Sequence, residues 1–335
     1  MINFILADIS TYCRPGCVVG YNTIVCPTDT KLSGSGGADR AIHRKAGKGL
    51  DDECRKIGTI NMGDAVLTGA YGLPAEHIIH TAVPRYDKDE YAEYLLAACY
   101  FNCLSLIDTD SHGSIFFPAM GTGFAGFPAE IAAKIAGNAV AEWISSKMGE
   151  SSDLYLPDIA FAFTSSDIME TYKKYILIAL LESMRETLSP NGWAFKCSNT
   201  LPYFFEEGGG FANLPKEKEE ALQKKKDDIY LLHTAYSQYM YILYDLIGKP
   251  YYYETMNEGI KRVCKKYPNE KDRDTYYVFA AHCEEMTFEE CVCYIVSLQR
   301  DDYGSGGTES THIKHCINGD VDKVLGRMVQ FLEAE

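Results

Sequence analysis

Residues 114–128 read SIFFPAMGTGFAGFP, and this stretch decides the fold class. Ser114 to Met120 is a short apolar run with the length of a buried strand, and a glycine-rich loop, Gly121 to Gly126, follows it. The Ala-rich spacing from Pro128 to Ser145 then predicts a helix with proline in its first turn. A strand, a glycine loop and a helix in this order are typical of α/β proteins, which bind ligands at the carboxyl ends of strands.

The same order of elements recurs on both sides of this stretch. Further strands are predicted at Tyr21–Cys26, Ala65–Thr68, His77–Val83 and Leu154–Phe163. Helices are predicted at Ala38–Ala46, Tyr91–Asp108 and Ile168–Glu186. The alternation of strands and helices predicts an α/β sandwich in the first part of the chain.

Length and charge limit the classes of protein that fit. At roughly 150 residues per domain, 335 residues suggest two domains. The 32 basic and 47 acidic residues give a net charge of −15, which argues against strong binding to nucleic acid. No apolar run reaches the ~20 residues of a membrane helix, and the first residues lack the basic start of a signal peptide. We therefore expect a soluble, cytoplasmic protein with no membrane partner.

Composition changes near residue 200. Of the 24 tyrosines, most follow this point, in a region that reads as helices at Glu217–Ile247, Asn257–Tyr267, Thr287–Gln299 and Val321–Glu333. Glycine and proline are frequent at 188–214. We therefore predict one domain over residues 1–187, a linker over 188–214 and a helical domain over 215–335. The tyrosine-rich face of this helical domain is a candidate homodimer surface.

Twelve cysteines in a chain without a secretory signal indicate reduced thiols rather than disulfides. Cys291, Cys293, His312 and His315 are of the residue types that bind zinc. Cysteines and histidines scattered over helices are more often packing residues, however. The sequence therefore predicts no metal and no cofactor.

The two glycine-rich loops, Ser33–Ala38 and Gly121–Phe127, both stand between a strand and a helix. Such a loop presents backbone N–H groups beside the positive end of a helix, which suits a phosphate group. One loop of this kind is explained equally well as a tight turn. Two of them in one domain favour a ligand with two phosphates.

Four segments in order resemble the macrodomain family, an ADP-ribose-binding module: Ala7–Ser10, Cys26–His43, Leu73–Pro84 and Phe117–Pro128. The resemblance covers residues 1 to about 185 and implies a three-layer α/β/α fold with a mixed central sheet. Residues 300–306 with 319–320 weakly resemble a bacterial helical domain of unknown function, which implies no chemistry.

The resemblance implies that the ligand is ADP-ribose or an ADP-ribosylated substrate. In this reading Asp8 accepts a hydrogen bond from the adenine amino group, and the backbone of Ile9 supports the ring. The loops hold the diphosphate and the distal ribose. Their residues are Ser33, Gly34, Ser35, Gly36, Gly37 and Ala38 in the first loop and Gly121, Thr122, Gly123, Phe124, Ala125, Gly126 and Phe127 in the second.

Asp39 is the candidate catalytic residue, because the family's hydrolases have an acid here that orients or deprotonates water. The alternative is a helix cap. Asp29 stands where those hydrolases have Asn, so the two carboxyls are expected to face each other and one to have a raised pKa. His43 and His80 are expected to be structural.

Two hypotheses stay open. The first is an ADP-ribosyl hydrolase that uses Asp39, helped or hindered by Asp29. The second is a non-catalytic reader or sensor of ADP-ribose or a related NAD-derived nucleotide, with the helical domain as effector. Asp39 and the loops favour the hydrolase. Asp29 and the lack of an aromatic side chain at Ala125 and near Thr164 favour the reader.

Overall fold

The computed structural model describes residues 2–12, 22–107, 113–150, 156–189, 232, 234–243, 246–247, 252–270, 274–304 and 311–334. The chain forms two compact units. The first comprises Met1–Lys147 with Asp153–Ala179, and the second comprises Met148–Ser152 with Leu180–Glu335. Among the described residues no helix has the length and apolar character that crossing a membrane requires.

In the described part of the first unit, six strands form one sheet: β1 (Ile2–Leu6), β2 (Thr23–Thr28), β3 (Ala65–Gly69), β4 (His77–Ala82), β5 (Ser114–Pro118) and β6 (Asp158–Phe163). Their order across the sheet is β1-β6-β5-β2-β4-β3. All neighbours are parallel except β3, which runs antiparallel to β4 at one edge. The carboxyl ends of the five parallel strands therefore lie along the same edge of the sheet.

Helices cover both faces of this sheet. One layer contains α1 (Ile9–Tyr12), α2 (Gly37–Ala46) and α3 (Lys48–Ile57), and the other contains α4 (Ala92–Ser105), α5 (Ala129–Glu150) and α6 (Ser166–Leu188). Successive side chains of a strand point to opposite faces. Accordingly, Phe116 of β5 packs with the first layer, whereas Phe117 lies 5.3 Å from Tyr100 of α4, measured between ring centroids. The expected three-layer fold with a mixed sheet is confirmed.

Several predicted boundaries shift. The strand predicted at Tyr21–Cys26 is β2, which runs on through Pro27 to Thr28. Proline is tolerated there because β2 pairs with β5 only at Thr23 and Ile24, so that no hydrogen bond of that ladder is lost. The strand β1 and the helix α3 were not predicted. In α3 only Leu50 and Cys54 are buried, and six of its ten residues are charged, so no apolar run marks the helix.

The second unit is helical where it is described. It contains residues 234–243, α7 (Tyr252–Lys266), α8 (Thr275–Ala281), α9 (Phe288–Gly304), α10 (Thr311–Ile317) and α11 (Asp320–Ala334), together with α6 from Leu180 onward. Tyr236 and Tyr239 of the predicted tyrosine-rich face are buried, and the Tyr236 hydroxyl donates to the carbonyl of Ile295. These two side chains therefore belong to the core of the unit, and the homodimer stays a prediction.

Two further expectations concern this region. Residues 190–231, which include most of the linker predicted at 188–214 and the first half of the helix predicted at Glu217–Ile247, lie outside the described residues. The four candidate zinc ligands, Cys291, Cys293, His312 and His315, are buried, but the structure does not bring them together as a metal-binding group within the described residues. His315 instead lies 2.9 Å from the Asp320 carboxylate, measured from Nδ1 to Oδ2.

Candidate functional site

Two loops leave the sheet at the carboxyl ends of adjacent strands. Loop 1 (residues 29–36) connects β2 with α2, and loop 2 (residues 119–128) connects β5 with α5. The strands β2 and β5 are parallel neighbours in the sheet and pair at Thr23 and Ile24, so their carboxyl ends point the same way. The two loops therefore rise side by side from the same edge of the sheet.

Both loops present backbone N–H groups that have no hydrogen-bond acceptor among the described residues. In loop 1 and the first turn of α2, these are the N–H groups of Gly34, Gly36, Gly37 and Ala38. In loop 2, they are the N–H groups of Gly123, Phe124 and Ala125. Unpaired N–H groups beside a helix N-terminus attract anions, because the helix dipole adds a partial positive charge there. Two donor sets side by side suit two phosphates better than one.

Asp39 lies in the first turn of α2 and is only 2% exposed. Its Oδ1 accepts a hydrogen bond from the Cys26 thiol (3.2 Å), and its Oδ2 accepts from the Thr28 hydroxyl (3.2 Å) and the Ser35 N–H (3.0 Å). The N-cap of α2 is Gly36, so Asp39 braces loop 1 against β2 and does not cap its own helix. Of the roughly four lone-pair sites of a carboxylate, three are used.

Asp29 turns its carboxylate toward its own loop. It accepts hydrogen bonds from the N–H groups of Lys31 (2.9 Å) and Ser33 (3.2 Å) and from the hydroxyls of Ser33 and Ser35. Partial burial raises the pKa of Asp29, but the hydrogen bonds from Ser33 and Lys31 lower it by more, so the net shift is downward. The expectation of a raised pKa is therefore wrong for Asp29, because donors and not a second carboxylate surround it.

Asp8 follows β1 and is exposed. Its Oδ1 accepts from the N–H (2.8 Å) and the hydroxyl (2.6 Å) of Ser10, which is the pattern of a helix cap on α1. Ile9 buries its side chain in the core, so only its backbone is available to a ligand. Because β6 separates β1 from β5, Asp8 lies about 10 Å along the edge from loop 2, a distance that a nucleoside diphosphate can span.

Loop 2 has an exposed tip and a buried base. Phe124 is 79% exposed, and the Arg85 guanidinium lies 4.7 Å from the centre of its ring. Phe127 is buried, its ring lies 5.0 Å from that of Tyr86, and its N–H donates to the carbonyl of Gly121. Phe127 therefore holds loop 2 in place and does not reach its surface.

Arg85 was not predicted as a site residue. It comes three residues after the end of β4, on the same edge of the sheet, and it brings a positive charge to loop 2. A basic residue shortly after a parallel strand is the signal that could have identified it. The hydroxyl of Thr122, which was predicted to contact the ligand, donates instead to the carbonyl of Ala119 (2.8 Å).

Two histidines lie close together behind Asp39, with ring centroids 5.6 Å apart. His43 Nδ1 is 2.8 Å from Asp51 Oδ1, and His80 Nε2 is 3.1 Å from Thr68 Oγ1. Burial, and to a lesser extent the charge of His43, lowers the pKa of His80 to about 3, so this ring is neutral. His43 Nε2 also lies 3.4 Å from Asp39 Oδ1, and His80 Nε2 lies 3.9 Å from Cys54 Sγ. The polar contacts of both rings are local, in line with the structural role expected for them.

One family model and three relatives bear on this site. A family model described as Macro domain matches residues 25–136, all within the first unit. The macro domain-containing protein CT2219 of Chlorobaculum tepidum is 35% identical over 175 residues, which are 52% of this chain and 94% of that protein. O-acetyl-ADP-ribose deacetylase 1 of Pantoea vagans is 37% identical over 154 residues, covering 41% of this chain and 90% of the relative. The human ADP-ribose glycohydrolase MACROD2 is 37% identical over 144 residues, covering 42% of this chain and 34% of the relative.

The sheet order and the two glycine-rich loops define an α/β/α module, a class of fold that binds its ligands at the carboxyl ends of the strands. With these matches, the chain belongs to the macrodomain family. The resemblance found in the sequence is thereby confirmed.

Proposed function

We propose that this chain binds ADP-ribose, free or attached to a substrate, and hydrolyses the ADP-ribosyl linkage. One observation carries the proposal: adjacent strands end in two loops whose backbone N–H groups have no acceptor among the described residues. Such donors bind a diphosphate through partial charges. A chain with a net charge of −15 can therefore hold an anionic ligand locally.

Each end of the ligand has its own candidate contacts. At the β1 end of the edge, the carboxylate of Asp8 accepts from the adenine amino group, since a carboxylate only accepts and this amine only donates. At the loops, Arg85 adds a full positive charge close to the exposed tip of loop 2. The distal ribose then lies over loop 1 and the first turn of α2.

Relatives named O-acetyl-ADP-ribose deacetylase and ADP-ribose glycohydrolase support the hydrolytic part of the proposal. Asp39 is the candidate that orients the attacking water, since it lies in the turn that follows loop 1. A carboxylate there can orient the water and accept its proton. Asp29 stays ionised and offers only acceptors to the ribose hydroxyls.

Binding without hydrolysis is the second candidate function. One observation favours it: the Asp39 carboxylate is 2% exposed and already accepts three hydrogen bonds, so a water molecule has little access to it. In this case Asp39 shapes loop 1, and the chain acts as a reader of ADP-ribose.

Calorimetry followed by turnover assays separates the candidates. ADP-ribose is titrated into the full chain, and adenosine and ribose 5-phosphate are titrated separately as fragments of it. If ADP-ribose shows no saturable binding, both candidate functions are wrong. O-acetyl-ADP-ribose and an ADP-ribosylated protein are then offered as substrates. For a hydrolase, Asp39→Asn lowers kcat about 100-fold or more with a nearly unchanged Kd, whereas the exposed control Asp52→Asn changes neither. Normal binding with no turnover by the wild type establishes the reader.

A further inference from the structure

Behind loop 1, three buried side chains from three elements converge. Cys26 of β2, His43 of α2 and His80 of β4 each bring one ligand atom, and these atoms all lie within 4.8 Å of one another. His80 is fully buried, and the side chain of His43 is 8% exposed. Thiol and imidazole groups are the preferred ligands of zinc in proteins.

Each histidine has one nitrogen engaged and the other without a partner. Asp51 holds His43 Nδ1, and Thr68 holds His80 Nε2. His43 Nε2 and His80 Nδ1 are buried and have no hydrogen-bond partner among the described residues. Burying a polar atom without a partner costs about 1–3 kcal/mol, so a pair of them calls for an explanation. A histidine that binds a metal typically has its second nitrogen fixed by a carboxylate or another oxygen, as Asp51 and Thr68 do here.

The Asp39 carboxylate lies beside two members of this group and is the candidate for a fourth ligand. Its Oδ1 lies 3.2 Å from Cys26 Sγ and 3.4 Å from His43 Nε2. In a tetrahedral zinc site with bonds of about 2.0–2.3 Å, neighbouring ligand atoms are roughly 3.3–3.8 Å apart. The distance from Asp39 to His43 already has this length, and the distance from Asp39 to Cys26 is slightly shorter. The ligand atoms of Cys26, His43 and His80, which lie within 4.8 Å of one another, have to draw together by about 1 Å when the ion binds.

We propose that Cys26 Sγ, His43 Nε2, His80 Nδ1 and Asp39 Oδ1 bind one Zn²⁺ beneath loop 1. On binding, the Cys26 thiol loses its proton to solvent, and the bond from sulfur to Zn²⁺ replaces its hydrogen bond to Asp39. One thiolate and one carboxylate balance the charge of the ion, and both imidazoles stay neutral. Thiolate, imidazole and carboxylate in a tetrahedron favour zinc over magnesium or calcium.

The ion joins β2, β4 and α2 at one point. Because Asp39 Oδ2 also accepts from the Ser35 N–H, the metal holds loop 1 through Asp39. Asp39 is thus a positioning residue in this proposal, whatever its part in hydrolysis. For this reason the test uses Cys26 and His80, which are absent from the expected contacts with ADP-ribose.

Metal analysis of the full chain tests the site. The protein is stripped with a chelator, titrated with Zn²⁺ against a chromogenic competitor and assayed for bound zinc by plasma mass spectrometry. The matched control is Cys99→Ser, since Cys99 is also a fully buried thiol but lies on α4, in the other helical layer. We expect about one Zn²⁺ per chain for the wild type and Cys99→Ser, and binding weakened about tenfold or more in Cys26→Ser and His80→Gln. A wild type that takes up no zinc overturns the proposal, as does undiminished binding by both variants.

Cobalt(II) gives a readout that does not depend on the folding of a variant. Co²⁺ bound by Cys26 produces a thiolate-to-cobalt absorption band in the wild type, and its absence there overturns the proposal. The band is expected to persist in Cys99→Ser and to vanish in Cys26→Ser, with circular dichroism as the check on folding. Zinc stoichiometry is measured without nucleotide, so a failure to bind ADP-ribose leaves this result intact.

Discussion

Gly34 is the position of loop 1 where a single added methyl group is expected to do most damage. It has a φ of +66°, and a Cβ added there would lie 2.9 Å from Cγ and 3.1 Å from Nδ1 of His43. The His43 ring has little freedom to move away, because Asp51 holds its Nδ1 at 2.8 Å. The left-handed backbone costs an L-residue about 1–2 kcal/mol and the overpacking about 1–3 kcal/mol. We therefore expect Gly34→Ala to lower the free energy of unfolding of the first unit by about 2–5 kcal/mol.

Gly37 provides a matched control in the same segment. It has no atom within 4 Å of an added Cβ, its φ is not in the left-handed region, and it lies in the first turn of α2. Gly37→Ala should therefore be neutral or stabilising by up to about 1 kcal/mol. Both variants are compared by urea unfolding in a Trp193→Phe background, in which the buried Trp143 of α5 reports on the first unit. Unfolding free energies for the two variants that agree within about 0.5 kcal/mol would refute the reasoning.

Three further predictions follow from the site and the core. The pKa of Asp29 is lower in the folded chain than its value of about 4 in the unfolded chain. The stability that its charge contributes is therefore complete above the unfolded-state pKa and is lost only as the pH falls through the folded-state pKa. ADP-ribose affinity measured by calorimetry should therefore be flat between about pH 5 and 8, and a titration in that range that Asp29→Asn abolishes would count against this. Asp8→Ala should weaken ADP-ribose about tenfold and leave ribose 5-phosphate unaffected, while Asp8→Asn keeps the cap on α1; equal losses for both ligands speak against adenine at this end. Gly137→Ala would bring a Cβ to 2.7 Å from the backbone oxygen of Tyr175, so thermal unfolding should show a loss of about 1–3 kcal/mol, and an unchanged melting temperature would contradict this close approach of α5 and α6.

The sequence predicted those parts of the fold in which local pattern and burial agree. The run before Gly121 is the fully buried strand β5, and the helix at Ala38–Ala46 appears as α2, one residue longer. The strand β1 was missed because it has only five residues, with few of them fully buried. Short helices such as α8 and α10 were missed because each has just seven residues. This is about two helical turns, which is too short for a repeating apolar pattern to be recognised.

Only part of the candidate site could be predicted from the sequence. Glycines between a strand and a helix predict backbone N–H donors, because the direction of an N–H group depends on the local backbone conformation. The partners of Asp39 were not predictable, since the Cys26 thiol and the Thr28 hydroxyl reach it from β2 across the loop. The convergence of His80 on Cys26 and His43 likewise depends on the pairing of β4 with β2 and on the packing of α2 over both strands.

The proposed phosphate donors of both loops belong to the main chain, and this has a consequence for mutagenesis. Away from the glycines, an alanine scan across Ser33–Ala38 or Gly121–Phe127 removes side chains but leaves each of these amide hydrogens in place. Charge reversal is equally blind to them, because there is no charged group to reverse. Among the natural amino acids only proline deletes an amide hydrogen. If ligand affinity does not change on such side-chain substitutions, the result would therefore indicate recognition by the backbone. It would not mean that the loops make no contact with the ligand.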